Sequence, residues 1–161
     1  MNIHLKLETG MRRLGFEEKE LNTLVQILRV TPALHVVGIM SHLVASEDQR
    51  HDFYTKHQFM LFKKLAVYIE QALGIHTIKH LLNSSGILRF PDYQLDMVRL
   101  GIGLYGVGMS EEIQPYLEIA STLKTIISQI KTIHQGATVG YGRRGLAERN
   151  MRLATIAIGY A

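Results

Sequence analysis

The first hundred residues alternate between strand-length apolar runs and amphipathic segments, and this alternation limits the possible folds more than any other feature. Four runs are apolar on consecutive positions, as strands covered on both faces must be: "IHLKLET" (3–9), "HVVGIMSHL" (35–43), "HTIKHLLNS" (76–84) and "DMVRLGIGLYG" (96–106). Two stripes at helical spacing lie between them, one made of Leu21, Leu24, Val25 and Leu28, the other of Phe59, Phe62, Ala66, Ile69 and Leu73. The order β-α-β-α-β-α-β predicts right-handed crossovers and a parallel sheet.

The pattern changes after Gly108. The stretch "LEIASTLKTIISQIKTIHQGATVGYGR" (117–143) is rich in Ile and Thr and has a turn signal at Gln135 and Gly136. A helix is possible, because four apolar residues lie near a 3.6-residue period, but the β-branched residues favour strands. We therefore predict an α/β part over residues 1–110 and a β part over 111–161, with the boundary near Pro115.

Composition limits the class of protein. The chain has 161 residues, 47% of them hydrophobic, and no cysteine, so disulfides and thiolate metal sites are excluded. No apolar stretch approaches the roughly 20 residues of a membrane span, and the start lacks the pattern of a signal peptide, so we expect a cytoplasmic location. The net charge of +4 comes without a block of basic residues. This suits a small anionic ligand better than a nucleic acid or a membrane.

The ends of the chain suggest a piece of a longer protein. The sequence begins within one strand-like run and stops within another, "LATIAIGYA". Four parallel strands also leave two exposed edges, which intact α/β proteins cover or close. We expect sheet strands to be missing on both sides.

Arg99 is the one charged side chain within the run "MVRLGIGL" (97–104). Burying an unpaired charge costs several kcal/mol, on the order of 5, so this guanidinium must reach solvent or meet a specific partner. A nearby acid, Asp96, is one candidate partner. A bound ligand is another.

Six ordered motifs resemble the alanine racemase family: "KLETGMRRLGF" (6–16), "GIMSHLVASED" (38–48), "HLLNSSGILRFP" (80–91), "DMVRLGIGLYG" (96–106), "TVGYGRR" (138–144) and "TIAIGYA" (155–161). The resemblance spans essentially the whole chain. It implies the C-terminal half of a (β/α)8 TIM barrel, followed by the beginning of a mostly-β domain. It also implies that pyridoxal 5'-phosphate is bound at the C-terminal mouth of the barrel.

The resemblance gives Arg99 a ligand as its partner. In the family the matching arginine donates to the pyridine nitrogen of the cofactor, and its pKa above about 12 keeps that nitrogen unprotonated. Such a ring is a weaker electron sink, which discourages side reactions. His80 matches a histidine that hydrogen-bonds this arginine, although on its own it would be read as a half-buried structural histidine.

Four further residues match the family's phosphate contacts: Asn83 and Ser84 in "NSSG", and Gly101 and Ile102 in "RLGIG". A residue without a Cβ lets backbone N–H groups approach a phosphate, and barrels of this kind often bind phosphate after their last two strands. As a bare tetrapeptide, "NSSG" is more typical of a turn and helix cap. Its assignment to phosphate depends on the neighbouring motifs.

Tyr141, between two glycines, matches a catalytic base that reaches the active site of the other subunit of a homodimer. On sequence alone it would be the exposed tip of a hairpin. A phenol with a pKa near 10 needs cations or a hydrogen bond to act as a base at neutral pH. The remaining matches are His42, which contacts that tyrosine, Arg13 and Met11 at the substrate, and Lys6, which is often carbamylated and then holds Arg13.

The implied activity is the interconversion of L- and D-alanine for peptidoglycan precursors. Two departures are mild: Glu8 replaces the usual Asp, and "SHLVASED" lacks the usual aromatic after the histidine. A third is serious, because nothing resembles the "KANAYGHG"-like segment with the family's Schiff-base lysine. We therefore expect these 161 residues alone to be inactive and to bind the cofactor weakly.

Other functions on the same fold stay open. A racemase of broader specificity would share these motifs, whereas decarboxylases of this fold pair the pyridine nitrogen with an acid, which Arg99 does not offer. A non-catalytic barrel that only binds the cofactor would lack the trailing β domain and its tyrosine. The remaining histidines show no spacing typical of a metal site, and we predict no metal: His35, His51, His57, His76 and His134.

Overall fold

The computed structural model describes residues 1–159, which fold into two compact units. The first unit is Met1–Ala120, and the second begins at Ser121. The last two residues of the motif "TIAIGYA", Tyr160 and Ala161, lie outside the described residues. Over residues 1–159 no helix combines the length and apolar character that a membrane span requires.

A parallel sheet forms the centre of the first unit. Its strands are β1 (Asn2–Lys6), β2 (His35–Met40) and β3 (Ile78–His80), hydrogen-bonded in that order. The crossovers contain the helices α1 (Leu21–Arg29) and α2 (Asp52–Leu73), and β3 is followed by the short helix α3 (Ser84–Arg89). The predicted alternation of strands and helices is confirmed over this part of the chain.

The two predicted helical stripes form one wall of the core. All four apolar residues of the α1 stripe are buried, and so are Phe59, Phe62, Ala66 and Ile69 of α2. All of these except Val25 belong to one core cluster with Leu5 and Ile39 of the sheet and with Leu7, which follows β1. Burying a side chain of this kind contributes about 1.5–3 kcal/mol, so the periodic residues account for much of the unit's stability. The helix α2 ends at Gly74, which adopts the left-handed conformation with φ of 66°.

The predicted fourth strand over residues 96–106 is wrong beyond its start. Met97 forms a single parallel bridge to His80, and Arg99 N–H donates to the carbonyl of Leu82 over 3.0 Å. At Gly101 the backbone turns to φ of −102° and ψ of −105°, and a 3-10 turn follows over Ile102–Tyr105. Two glycines in "GIG" permit this turn, so an apolar run that looks like a strand leaves the sheet.

The second unit is made of antiparallel pairs. The strand β4 (Ile127–Ile133) pairs with β7 (Met151–Ile156), and β5 (Thr138–Val139) pairs with β6 (Gly145–Leu146). The predicted turn contains Gly136, whose φ of +84° suits glycine. Strands are therefore confirmed here, and the helical alternative for residues 123–133 is wrong.

Candidate functional site

The predicted site residues of the first unit gather where the parallel strands end. Carboxyl ends of parallel strands lie at one edge of a sheet, so the segments that follow β1, β2 and β3 approach each other there. His80 is the last residue of β3, and His42 follows the end of β2 by two residues. Arg99 reaches both of them from the segment that follows the bridge to β3.

Arg99 meets carbonyl oxygens and imidazoles. Its Nη1 lies 2.6 Å from Nδ1 of His80 and donates to the carbonyl of the same residue over 3.1 Å. Its Nη2 donates to the carbonyls of Ser41 (2.6 Å) and Leu81 (3.2 Å) and lies 3.3 Å from Nδ1 of His42. No carboxylate within residues 1–159 forms an ion pair with it. Burial lowers the pKa of Arg99, and the dipoles of the three carbonyls compensate the charge.

The alternative partner, Asp96, is engaged elsewhere. Its Oδ2 accepts a hydrogen bond from the backbone N–H of Lys79 over 2.8 Å and lies 3.4 Å from the Lys79 ammonium. The interpretation of Arg99 as the ion-pair partner of Asp96 is therefore wrong. Asp96 fastens the chain to β3 at the start of the segment that carries Arg99.

His80 is a neutral acceptor. Because Arg99 can only donate, the Nδ1 atom of His80 accepts, and its Nε2–H is then available to donate to Nδ1 of His4, 2.8 Å away. Burial, the Arg99 charge and His4 lower the pKa of His80 to about 4. The tautomer of His80 is thus fixed by contacts on both sides of its ring.

His4 was missed by the sequence analysis. Its ring lies over Gly38 of β2, where an added Cβ would overlap the imidazole. The signal was a glycine inside an otherwise apolar strand, which marks a close approach by another group. The register that places His4 opposite Gly38, and Met40 opposite His80, cannot be read from spacing along the chain.

Several positive charges share this end of the sheet. Burial lowers the pKa of His42, and the charges of Arg99, Arg13 and Lys6 lower it further. The pKa of Lys6 is also lowered, chiefly by burial, with Glu8 acting in the opposite direction and the two arginines adding to the effect. A site with this charge favours an anionic ligand.

The loop after β1 carries Met11 and Arg13. The buried Glu8 carboxylate accepts hydrogen bonds from the backbone N–H groups of Gly10 and Arg12, the latter over 2.7 Å. Arg12 adopts a left-handed φ of +56°, which this capping by Glu8 stabilises. Glu8 therefore holds the loop, with Met11 half-buried and Arg13 exposed.

A second cluster of donors surrounds Ser84. Its buried hydroxyl accepts hydrogen bonds from the backbone N–H groups of Gly101 (2.9 Å) and Gly103 (3.2 Å). Ile102, between these glycines, is exposed. Asn83 caps α3, because its Oδ1 accepts from Gly86 N–H over 3.0 Å. Gly103 is a further residue that the sequence analysis missed, although the pattern "GIG" carried the signal.

The two clusters fit a ligand with an anionic group and an aromatic nitrogen. Backbone N–H groups converging on a hydroxyl form a cradle of the kind that binds phosphate. The contacts of Arg99 use Nη1 and Nη2, and no acceptor from the described part of the chain bonds its Nε–H. That N–H group can donate to a neutral heterocyclic nitrogen.

Tyr141 lies in the second unit, in the turn Tyr141–Arg143 between β5 and β6. Its side chain is 94% exposed. The flanking Gly140 and Gly142 have φ of 76° and 66°, values that favour glycine. The phenol therefore projects from a tight turn into solvent, free to contact another molecule.

The fold and site define a β/α protein with an arginine held by neutral imidazoles and carbonyls at the carboxyl ends of parallel strands. The model of the alanine racemase N-terminal domain matches residues 1–108, and that of the alanine racemase C-terminal domain matches residues 120–161. The chain belongs to the alanine racemase family. This confirms the resemblance and the predicted fold class.

Individual relatives agree with the family models. The alanine racemase of Clostridium perfringens strain SM101 is 38% identical over 99% of this chain. The structure of alanine racemase from Streptomyces lavendulae superposes with a TM-score of 0.74 at 28% identity, covering 95% of this chain and 42% of that one. Alanine racemase from Bartonella henselae, solved with covalently bound pyridoxal phosphate, gives 0.61 at 32% identity and covers 99% and 43%. The chain spans less than half the length of these curated relatives, 42% of the Clostridium perfringens protein and 44% of the alanine racemase of Desulforamulus reducens.

Proposed function

We propose that this chain supplies the cofactor-binding part of a pyridoxal-phosphate-dependent alanine racemase. The observation that carries the proposal is Arg99, held by three carbonyls and the neutral His80, with Nε–H left to donate. The name of the Clostridium perfringens relative supports alanine as substrate. The Bartonella structure, with its covalently bound cofactor, supports pyridoxal phosphate.

Arg99 and Ser84 are the residues that would hold the cofactor. When bound, pyridoxal phosphate supplies an electron sink for the electrons left at Cα of the amino acid. Ser84, with Gly101 and Gly103, offers a hydroxyl and backbone N–H groups to the phosphate, beside the cap formed by Asn83 and next to Ile102. Arg99 would donate a hydrogen bond to the ring nitrogen without transferring a proton to it, because a guanidinium stays protonated.

Tyr141 is the residue that we assign to proton transfer at Cα of the substrate, on one face, acting from the second subunit of a homodimer. Its exposure on a glycine-flanked turn supports a role toward another molecule. His42 would orient the phenol, Arg13 would bind the substrate carboxylate near Met11, and Lys6, when carbamylated, would hold Arg13 by an ion pair. We place the enzyme in the cytoplasm, where D-alanine enters peptidoglycan precursors.

Two alternatives are less well supported. A decarboxylase of this fold would pair the ring nitrogen with an acid, and here that position holds Arg99. A non-catalytic cofactor-binding barrel would lack a trailing β domain, whereas residues 120–161 match the racemase C-terminal domain. Both observations favour a racemase.

The role of Tyr141 is tested by Tyr141→Phe in a joined enzyme, in which residues 1–161 replace the matching segment of the Clostridium perfringens relative. Exchange of the Cα proton with deuterium, measured from each alanine enantiomer, should fall by about a hundredfold or more from one of them. Tyr116→Phe is the matched control, since Tyr116 is also exposed, at 84%. Equal exchange in both variants would show that Tyr141 is not the base.

A further inference from the structure

Gln58 is a polar side chain of α2 that is completely buried. Its Nε2 donates to the carbonyl of His42 over 3.2 Å, and its Oε1 accepts from the backbone N–H of Val44 over 3.1 Å. Both ends of the amide thus bind the segment that carries His42. A buried amide needs such partners, because an unsatisfied one costs about 1–3 kcal/mol.

The same amide begins a directed chain of hydrogen bonds. Gln58 Nε2 donates to Thr9 Oγ1 over 3.4 Å, and Thr9 Oγ1 lies 2.7 Å from Ser41 Oγ, which donates to the carbonyl of Leu7 over 2.7 Å. Since the Ser41 hydroxyl donates to the carbonyl of Leu7, the Thr9 hydroxyl donates to Ser41 and accepts from Gln58. The chain ties the segment after β1 to the segment after β2.

The atoms held by this network are the ones that face Arg99. Ser41 supplies the carbonyl nearest to the guanidinium, at 2.6 Å, and His42 supplies an imidazole nitrogen at 3.3 Å. Within residues 1–159, the hydrogen bonds of Gln58 go to His42, Val44 and Thr9, and none goes to Arg99 or to a group that we assign to the cofactor. Its influence on the site must act through the backbone of His42 and Ser41.

We propose that Gln58 is a positioning residue, which fixes the peptide of His42 so that the imidazole faces Arg99. The consequence for catalysis rests on the proposed function, but the effect on His42 does not. The Gln58 amide donates to one carbonyl and accepts from the N–H two residues later, so it holds this peptide from both sides. The loop after β1 is held at the same time, through Thr9.

The test compares Gln58→Met with Thr55→Val in the 161-residue chain. Methionine keeps the unbranched shape and removes every hydrogen bond. Thr55 is buried on the same helix, and its Oγ1 has no partner among the described residues, so T55V is a matched control. The readout is the titration of His42, followed by its ring carbon and proton signals in NMR spectra.

In the wild type and in T55V, His42 should titrate below the ordinary histidine value, because burial and the facing charges of Arg99, Arg13 and Lys6 act on it. In Q58M its pKa should move back toward that value. An unchanged pKa in folded Q58M would overturn the proposal, whatever the enzyme does. In the joined enzyme, Q58M should lower kcat about tenfold or more with KM changed less than about twofold.

A measurement on the wild type decides the matter if Q58M does not fold. The side-chain amide protons of Gln58 should exchange with solvent far more slowly than those of Gln71, which is exposed on the same helix. Equal exchange rates would contradict the contacts with His42 and Thr9. If His42 responds to Q58M while Y141F has no effect on proton exchange, the positioning role stands and the proposed function of Tyr141 fails.

Discussion

Arg99 and His80 are joined by a contact of 2.6 Å between Nη1 and Nδ1, in which the charged donor requires a neutral imidazole. Because Nδ1 of His80 accepts, its Nε2 carries the proton and donates to Nδ1 of His4 over 2.8 Å. The arginine is therefore oriented from behind by His80, which has no charge at neutral pH, and His80 is held in turn by His4. A protonated His80 would repel the guanidinium and lose the hydrogen bond.

The stability of the chain should depend on pH through His80. Its folded pKa is lowered from 6.5 to about 4, so between these values the unfolded state binds more protons than the folded state. The free energy of unfolding should then fall as the pH is lowered through this range, by up to about 1.4 kcal/mol per pH unit from this group. Urea titrations at a series of pH values would measure the slope.

His80→Asn provides the comparison for that slope. An asparagine oxygen can accept from Arg99 but has no proton to gain in this range. The pH dependence of unfolding should be shallower in H80N than in the wild type between pH 6.5 and about 4. Parallel curves for the two proteins would mean that His80 does not titrate abnormally.

The close approach of His4 to Gly38 predicts a coupling between the two positions. Gly38→Ala should destabilise the chain by about 1–3 kcal/mol, because the new methyl group overlaps the imidazole. In a His4→Ala background the same change should cost little, since the ring is gone. Chemical denaturation of the two single variants and the double variant gives the coupling energy. Additive costs would exclude the contact.

The Ser84 hydroxyl should slow the exchange of the Gly101 and Gly103 backbone N–H groups with solvent. Ser84→Ala removes their shared acceptor, so both amides should exchange faster with solvent. It also removes the hydroxyl that we assign to the phosphate, so inorganic phosphate should bind more weakly. Ser85→Ala is the control, because Ser85 is the adjacent buried serine of α3. If S84A and S85A exchange alike at both glycines, the cradle has been assigned wrongly.

Helices were the part of the fold that the sequence predicted best. The residues that periodicity selected in α1 and α2 are buried, except Leu73, which is half-buried, because a helix buries one face and its 3.6-residue repeat is local. Strand ends were less predictable. The apolar runs continue into segments that leave the sheet yet stay buried, such as Leu81 and Leu82 after β3, so hydrophobicity alone overestimates strand length.

The site residues also differ in how well the sequence predicts them. The motifs selected Arg99, His80, His42 and Ser84, and the structure brings the first three into contact. The motifs did not indicate His4, Gly103 or Gln58, because the roles of these residues depend on strand register and on a helix packed across two loops. Such contacts join residues as far apart as His4 and His80, which no local pattern connects.

The most direct test of the account is whether Arg99 Nε–H meets a heterocyclic nitrogen. The 161-residue chain, labelled with 15N, would be titrated with pyridoxine 5'-phosphate, which has no aldehyde to react with lysines, and separately with pyridoxine and with inorganic phosphate. We predict that both pyridine compounds shift the Arg99 Nε–H signal, and that both phosphates shift the amides of Gly101 and Gly103. An Arg99 Nε–H signal that stays in place while pyridoxine 5'-phosphate shifts both glycine amides would contradict the account.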